Sequence, residues 1–230
     1  KPVNFNPNNK YPVVMIQYSG PNSQQVLNRY SVDWYFALLK EDILVVAVDG
    51  RGTGARGEEF RKSTYLNLGI YESADQIAAA RYLGSLPYVD ANKIGIWGWS
   101  YGGYNVLMSM SKGNGVFRSG VAIAPVTDWR FYDTVYTERF MRTPQQNYDG
   151  YENGSPVCLA GDLQGNLLLI HGTADDNVHF QNSIEYSRAL IKENKHFDMF
   201  FFPDKNHSIL GVDTRLYLYE KVINFFKHNM

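Results

Sequence analysis

The chain has 230 residues, of which 44% are hydrophobic and 20% charged, so it is long enough for one α/β domain or two small ones. Its formal net charge of -1 argues against nucleic acid or an anionic membrane surface as a partner. The single cysteine, Cys158, excludes an internal disulfide. No apolar run approaches the length of a membrane span. These features indicate an ordinary globular protein with a large core.

Short apolar segments alternate with amphipathic ones along the chain, which predicts a mainly parallel sheet whose strands are connected by helices. Strands are predicted at residues 11–18, 43–48, 94–99, 120–124, 167–170 and 197–202. Helices are predicted within residues 28–40, at 73–83, from 105 onward, at 181–193 and at 214–228. No linker or repeat divides the sequence, so we interpret residues 1–230 as one domain.

Two of these segments carry more detailed predictions. The continuous apolar run at 43–48 is typical of a parallel strand that is covered on both faces. The last helix is amphipathic, and its predicted inward residues are Leu216, Tyr219, Val222, Ile223 and Phe226.

The segment Gly98-Trp-Ser-Tyr-Gly102 has the form G-x-S-x-G and lies between a predicted buried strand and a predicted helix. A serine at such a turn is the nucleophile elbow of α/β hydrolases. The turn strains Ser100, and a side chain at either flanking glycine would collide with the neighbouring strand or helix. The alternative interpretation is a glycine-rich connection without a catalytic role.

A second glycine motif, Gly52-Thr-Gly-Ala-Arg-Gly57, follows a predicted strand and matches G-x-G-x-x-G. A dinucleotide site needs a helix that opens within the glycines and a second strand ending in an acid about 20 residues later. Charged residues follow here instead, and the next clear strand begins only near Lys93. We therefore expect a connecting loop on the active-site side of the sheet and no nucleotide cofactor.

A serine nucleophile needs a base, because its hydroxyl group is a poor nucleophile at neutral pH. In α/β hydrolases the acid and the histidine follow the serine in that order, each after a strand. Asp175 and Asp176 follow the predicted strand at 167–170, and His207 follows the last strand. The remaining histidines have positions that favour structural or exposed roles: His171, His179, His196 and His228. The sequence thus predicts a triad in which either aspartate could be the acid.

The predicted chemistry is attack of Ser100 on a carbonyl group, with His207 accepting the serine proton. The resulting oxyanion needs hydrogen-bond donors, and the backbone N–H of Tyr101 is the first candidate. The second donor should follow the first strand, where the hydroxyl group of Tyr18 is available. The alternative for Tyr18 is a packed aromatic residue at a strand end.

Six motifs together resemble the prolyl oligopeptidase family of serine peptidases, and most closely the catalytic domain of its dipeptidyl peptidase IV branch, bacterial members in particular. The motifs are Tyr18-Ser-Gly-Pro21, Asp49-Gly-Arg-Gly52, Gly98-Trp-Ser-Tyr-Gly-Gly103, Ala124-Pro-Val126, Tyr132-Asp-Thr-Val-Tyr-Thr-Glu-Arg139 and His171-Gly-Thr-Ala-Asp-Asp-Asn-Val-His179. The resemblance implies an α/β-hydrolase fold with helices on both faces of the sheet. It also implies the triad Ser100, Asp175 and His207, with Tyr18 and the Tyr101 N–H as oxyanion donors.

The resemblance further implies release of N-terminal Xaa-Pro or Xaa-Ala dipeptides from a peptide substrate, without a metal or other cofactor. Asn177 would bind the substrate carbonyl group that precedes the proline. The implied proline pocket consists of Tyr101, Val126, Trp129, Tyr132, Tyr136 and Val178. Aromatic walls suit a pyrrolidine ring, although on sequence alone Trp129, Tyr132 and Tyr136 could equally form a satellite core.

Members of this family carry a β-propeller and additional strands before the region matched here, so the sequence is interpreted as a fragment of a longer chain. The expected partners are that propeller and, in some relatives, a second copy of the protein. A periplasmic or extracellular location is expected from the same resemblance. The alternatives are an acylaminoacyl-type peptidase or an esterase of the same fold, and a binding domain without catalysis.

Overall fold

The computed structural model describes residues 1–230, and strands and helices alternate along it as predicted. The strands are β1 (Tyr11–Ile16), β2 (Leu44–Ala47), β3 (Val89–Trp99), β4 (Ser119–Ile123), β5 (Asn166–Gly172) and β6 (Asp198–Phe202). The helices are α1 (Phe36–Lys40), α2 (Glu58–Lys62), α3 (Ile70–Gly84), α4 (Tyr101–Lys112), α5 (Thr134–Met141), α6 (Tyr148–Asn153), α7 (Gln181–Lys192) and α8 (Val212–Asn229). Short 3₁₀ turns occupy Trp129–Phe131 and Ala160–Asp162.

The strands form one sheet in the order β2-β1-β3-β4-β5-β6, and every neighbouring pair is parallel. The predicted parallel α/β sheet is therefore confirmed. Because all strands point the same way, their carboxyl ends meet at one edge of the sheet. In open α/β sheets, ligands bind outside this edge.

Successive residues of each strand face opposite sides of the sheet, so each face has its own core. Val13 and Met15 of β1 pack in a cluster of 21 buried residues that includes residues of α3, α4 and α7. Val14, between them, packs in a cluster of 14 buried residues that includes residues of α1 and α8. None of the helices is both long and apolar enough to cross a bilayer.

The prediction that the segment 43–48 is covered on both faces is only partly correct, because Val45 and Val46 pack against the two opposite core clusters but are not fully buried. Strand β2 lies at the edge of the sheet and pairs only with β1. Val45 and Val46 are half-buried, and Ala47 is exposed. An apolar run does not by itself report the position of a strand within a sheet, and α1, which packs nearby, is only five residues long.

The predicted inward face of the last helix is also partly wrong. Leu216 is 59% exposed, whereas Leu218, which the prediction omitted, is fully buried. Leu218, Val222 and Phe226 recur every four residues and form the buried stripe. Tyr219 and Ile223 flank it and are half-buried.

Candidate active site

The residues predicted for catalysis all follow the carboxyl ends of strands on the same edge of the sheet. Tyr18 follows β1, Ser100 follows β3, Asp175 follows β5 and His207 follows β6. The four residues lie far apart in the sequence, the nearest two being 32 positions apart, and the parallel sheet brings their side chains to one edge.

The strand-to-helix turn at Ser100 has the strained geometry that the sequence predicts. Ser100 has φ 59° and ψ -120°, between the end of β3 and the start of α4. A Cβ atom on Gly98 would overlap the carbonyl oxygen of Gly102. A Cβ atom on Gly102 would lie 2.6 Å from the carbonyl oxygen of Gln17 in the loop after β1. Glycine at both positions therefore permits the close approach of helix, strand and loop.

Ser100, His207 and Asp175 form an uninterrupted chain of hydrogen bonds. The Ser100 Oγ atom lies 2.9 Å from Nε2 of His207, and Nδ1 of His207 lies 2.7 Å from Oδ2 of Asp175. Since a carboxylate can only accept, Nδ1 carries the proton and Nε2 presents its lone pair to the serine hydroxyl. Asp176, the alternative acid, is exposed, whereas Asp175 is 5% exposed.

Asp175 is held in place by more than the triad histidine. Its Oδ1 atom accepts hydrogen bonds from the backbone N–H groups of Asn177 (3.0 Å) and Val178 (2.9 Å), and its Oδ2 atom lies 3.1 Å from Nε2 of His171. Burial opposes ionisation, but these hydrogen bonds and the one from His207 outweigh it and hold the pKa of Asp175 well below its usual range. The acid is therefore a carboxylate at neutral pH.

Sequence reasoning placed His171 among the structural histidines without giving it a task. The structure shows it fully buried, with Nδ1 2.7 Å from the hydroxyl group of Ser183. The two partners of its Nε2 atom, Asp175 and the carbonyl group of Val178, are both acceptors, so Nε2 carries the proton. No pattern in the sequence distinguishes a histidine that orients the acid from one that only packs.

The two predicted oxyanion donors both lie near Ser100. Tyr101 is the first residue of α4, where a backbone N–H has no partner within the helix. Tyr18 is half-buried, and its hydroxyl group lies in the neighbourhood of the Ser100 side chain. Burial raises the pKa of Tyr18 more than the Ser100 side chain lowers it, so the phenol stays protonated and able to donate.

The predicted pocket residues lie in one aromatic cluster. Tyr101, Val126, Trp129 and Val178 are buried in it, and Tyr132 and Tyr136 pack against them. The ring centroids of Trp129 and Tyr136 lie 6.0 Å apart in a stacked arrangement, and those of Tyr132 and Tyr136 lie 5.4 Å apart edge to face. The two tyrosines are half-buried, so the cluster is a packed core with one side exposed to solvent.

Asn177 lies at the rim of this cluster. It is exposed, and its Oδ1 atom accepts a 2.8 Å hydrogen bond from the Tyr132 hydroxyl group. This bond orients the amide so that its NH₂ group is free to donate.

Two residues support the histidine loop in a way that the sequence did not reveal. The indole N–H of Trp99 donates a 3.0 Å hydrogen bond to the carbonyl group of His207. The guanidinium group of Arg215 lies 4.8 Å from the Trp99 ring and donates to the carbonyl groups of Ser208 (2.5 Å) and Ile209 (3.0 Å). Strand β3 and helix α8 thus hold the loop from both sides.

The second glycine motif forms a loop fixed by its own contacts. Arg51 pairs with Asp75 of α3 at 2.6 Å, and Gly52 has φ +93°, where a Cβ atom would lie 2.8 Å from Thr64. No helix opens within the glycines. No cluster of three or more His, Cys, Asp or Glu side chains that could hold a metal ion occurs in the protein.

A parallel sheet with this elbow and this Ser–His–Asp geometry defines an α/β hydrolase. The chain belongs to the prolyl oligopeptidase family, which matches residues 30–230. The predicted resemblance is therefore confirmed.

The chain is also similar to several named proteins. The chain is 47% identical over 221 residues to dipeptidyl aminopeptidase B of Saccharomyces cerevisiae, covering 94% of this chain and 27% of that protein. It superposes on Porphyromonas gingivalis dipeptidyl peptidase 4 with a TM-score of 0.98 and 60% identity, covering 100% of this chain and 33% of the other. A putative dipeptidyl aminopeptidase IV from Bacteroides ovatus gives a TM-score of 0.97 and 36% identity, with the same coverage. The chain therefore spans between a quarter and a third of the length of these relatives.

Proposed function

We propose that this chain is the catalytic domain of a serine peptidase that releases N-terminal dipeptides with proline, or alanine, in second position. The observation that carries the proposal is the hydrogen-bonded chain Asp175–His207–Ser100 beside the aromatic cluster around Trp129. The names of the relatives, dipeptidyl aminopeptidase B and dipeptidyl peptidase 4, support the same activity.

In the proposed mechanism Ser100 Oγ attacks the carbonyl carbon of the residue in the pocket while its proton passes to Nε2 of His207. The Tyr18 hydroxyl and the Tyr101 N–H donate to the oxyanion of the tetrahedral intermediate. The intermediate collapses when His207 gives its proton to the leaving amine, which leaves an acyl ester on Ser100. A water molecule then attacks the acyl ester by the same steps, with His207 as the base, and releases the dipeptide.

The proposed specificity rests on the shape of the cluster. Tyr132 and Tyr136 form flat apolar walls over buried Trp129, and a pyrrolidine ring fits between such walls better than a branched side chain. The free amide donor of Asn177 at the rim is placed to bind the carbonyl group that precedes the proline.

We infer that a β-propeller in the remaining part of the natural chain binds the free amino group of the substrate and so limits the product to a dipeptide. The greater length of the relatives supports this inference. Dimerisation and an extracytoplasmic location stay predictions of the resemblance.

The test uses the natural full-length protein, a fluorophosphonate label and three substrates: Gly-Pro-anilide, a blocked acyl-peptide and a simple ester. We expect labelling that Ser100→Ala abolishes and that Ser85→Ala, at an exposed serine after α3, leaves intact. We expect the highest kcat/KM on Gly-Pro-anilide.

Other results of this test would support one of the alternative functions. Absence of labelling, or labelling that survives Ser100→Ala, would indicate a domain without serine catalysis. Preference of the labelled protein for the blocked acyl-peptide or the ester would indicate an acylaminoacyl-type peptidase or an esterase.

A further inference from the structure

The carboxyl group of Glu72 takes no part in the proposed mechanism, yet it contacts the residue that follows Ser100. Glu72 lies in the first turn of α3 and is 1% exposed. Its Oε1 atom accepts a 2.7 Å hydrogen bond from the Tyr101 hydroxyl group. Its Oε2 atom is buried without a hydrogen-bond partner. Since glutamate is rarely fully buried unless paired, its presence here requires an explanation.

The buried carboxyl group of Glu72 is held by a hydrogen bond rather than by an ion pair. Burial raises the pKa of Glu72 to about 7, against the opposing effect of the hydrogen bond from the Tyr101 hydroxyl group. The carboxyl group thus lies in the first turn of α3 and is hydrogen-bonded to one phenol.

Tyr101 links that carboxyl group to both halves of the active site. Its ring is 3% exposed and lies 5.5 Å from the Trp129 ring and 6.0 Å from the Tyr18 ring, measured between centroids. Its backbone N–H is the proposed oxyanion donor. A displacement of the ring would therefore change the pocket wall and tilt the peptide that follows Ser100.

We propose that Glu72 is a positioning residue for substrate specificity, which holds the Tyr101 phenol so that the pocket accepts a proline ring. This inference rests on the proposed function. Helix α3 contributes no catalytic residue. Through Glu72 it would influence how strongly the enzyme prefers proline over alanine.

The test compares variants of the full-length protein after titration of competent active sites with the fluorophosphonate label. Glu72→Leu removes the acceptor at similar volume, Glu72→Gln keeps a carbonyl acceptor for the phenol, and Tyr101→Phe removes the donor. Tyr186→Phe is the matched control, because it removes a hydroxyl group that is equally buried, in α7, and has no partner. KM, kcat and the kcat/KM ratio of Gly-Pro-anilide to Gly-Ala-anilide are measured per titrated site.

We expect Glu72→Leu to raise the KM for Gly-Pro-anilide about tenfold and to reduce the proline-to-alanine ratio by a similar factor, as for a misplaced binding group. Glu72→Gln should restore both values to within about threefold, and Glu72→Leu combined with Tyr101→Phe should cost no more than either change alone. Loss of folded protein alone would lower the titrated amount and leave KM and the ratio unchanged.

The inference is overturned if Glu72→Leu leaves KM and the ratio unchanged per titrated site, or if Glu72→Gln is as impaired as Glu72→Leu. If Glu72→Leu yields no titratable protein, Tyr101→Phe decides: it must show the same changes in KM and ratio, and an unchanged ratio overturns the inference. Failure of the proposed function is a separate result, in which the wild-type protein itself labels but does not prefer Gly-Pro-anilide.

Discussion

At the scale of single residues, the site depends on small differences between neighbours. Asp175 and Asp176 are adjacent in sequence and identical in chemistry, but only Asp175 is buried and hydrogen-bonded to His207. Four hydrogen bonds converge on its two oxygens, from two histidines and two backbone N–H groups. The proposed role therefore belongs to one carboxylate alone, which can be tested with its neighbour as control.

We expect Asp175→Asn to lower kcat by about 10³–10⁴-fold, because an amide can donate to Nδ1 of His207 and so favour the wrong tautomer of the ring. Asp176→Asn should change kcat by less than about twofold, because this side chain is exposed. Steady-state kinetics on Gly-Pro-anilide, with folding checked by circular dichroism, measure both. Equal effects of the two substitutions would contradict the assignment.

At the scale of elements, the catalytic loops are held by contacts between strands and helices. The loop after β6 is bound to β3 through Trp99 and to α8 through Arg215. The elbow is bound to the loop after β1, where the Gln17 amide donates a 2.8 Å hydrogen bond to the Gly102 carbonyl group. These contacts explain how a loop histidine can stay within hydrogen-bonding distance of a serine on another strand.

The support of the histidine loop can be tested with two tryptophans of the same strand. Trp99→Phe removes the hydrogen bond to the His207 carbonyl group and should lower kcat about tenfold with little change in KM, because a loosened base is aligned less often. Trp97→Phe removes an indole N–H that is buried without a partner, so its effect on kcat should be smaller. A larger loss of kcat in Trp97→Phe than in Trp99→Phe would refute this role of the indole.

The need for glycine at position 98 of the elbow can also be tested by substitution. Gly98→Ala should destabilise the fold by about 1–3 kcal/mol and abolish fluorophosphonate labelling, because the added methyl group overlaps the Gly102 carbonyl oxygen. Gly161→Ala is the control, since its methyl group would meet only the end of the Glu193 side chain. Urea denaturation and labelling measure the outcome, and normal labelling of Gly98→Ala would show that the turn tolerates a side chain.

At the scale of the whole molecule, two buried carboxyl groups give stability opposite dependences on pH. The pKa of Asp175 is lowered by folding, so its contribution is present above the unfolded value of about 4 and is lost as the pH falls further. The pKa of Glu72 is raised to about 7 from 4.5, so folding becomes less favourable as the pH rises between these two values. At pH 8 the penalty from Glu72 is at most about 3 kcal/mol.

Glu72→Gln removes that penalty but not the burial of the side chain. We therefore expect the free energy of unfolding of this variant, relative to wild type, to rise by up to about 3 kcal/mol between pH 4.5 and pH 8. Glu220→Gln, at an exposed position of α8, should show no such rise. Urea denaturation at both pH values measures the difference, and a difference independent of pH would show that Glu72 titrates as an exposed carboxyl group does.

Much of this protein could be predicted from sequence, because the information is local. The order of strands and helices follows from hydrophobic periodicity. The elbow can be recognised from its glycines, because the lack of a side chain is a property of glycine itself. The predicted positions of Ser100, His207 and the acid loop needed only the rule that each follows a strand. The errors, at β2 and Leu216, arose where burial depended on which other element lay nearby.

The tertiary structure decided everything that depends on contacts between distant segments. It placed Asp175, which the residues alone did not distinguish from Asp176 and which the family resemblance implied, against His207, gave His171 a hydrogen bond to the acid, and set Glu72 against the Tyr101 hydroxyl group. Residues 29 or more positions apart meet in two of these contacts, and no periodicity or motif encodes such a meeting. The sequence alone determined which chemical groups follow the strands. The packing of the sheet and helices determined which of these groups touch, because burial and hydrogen bonding depend on surroundings that exist only after folding.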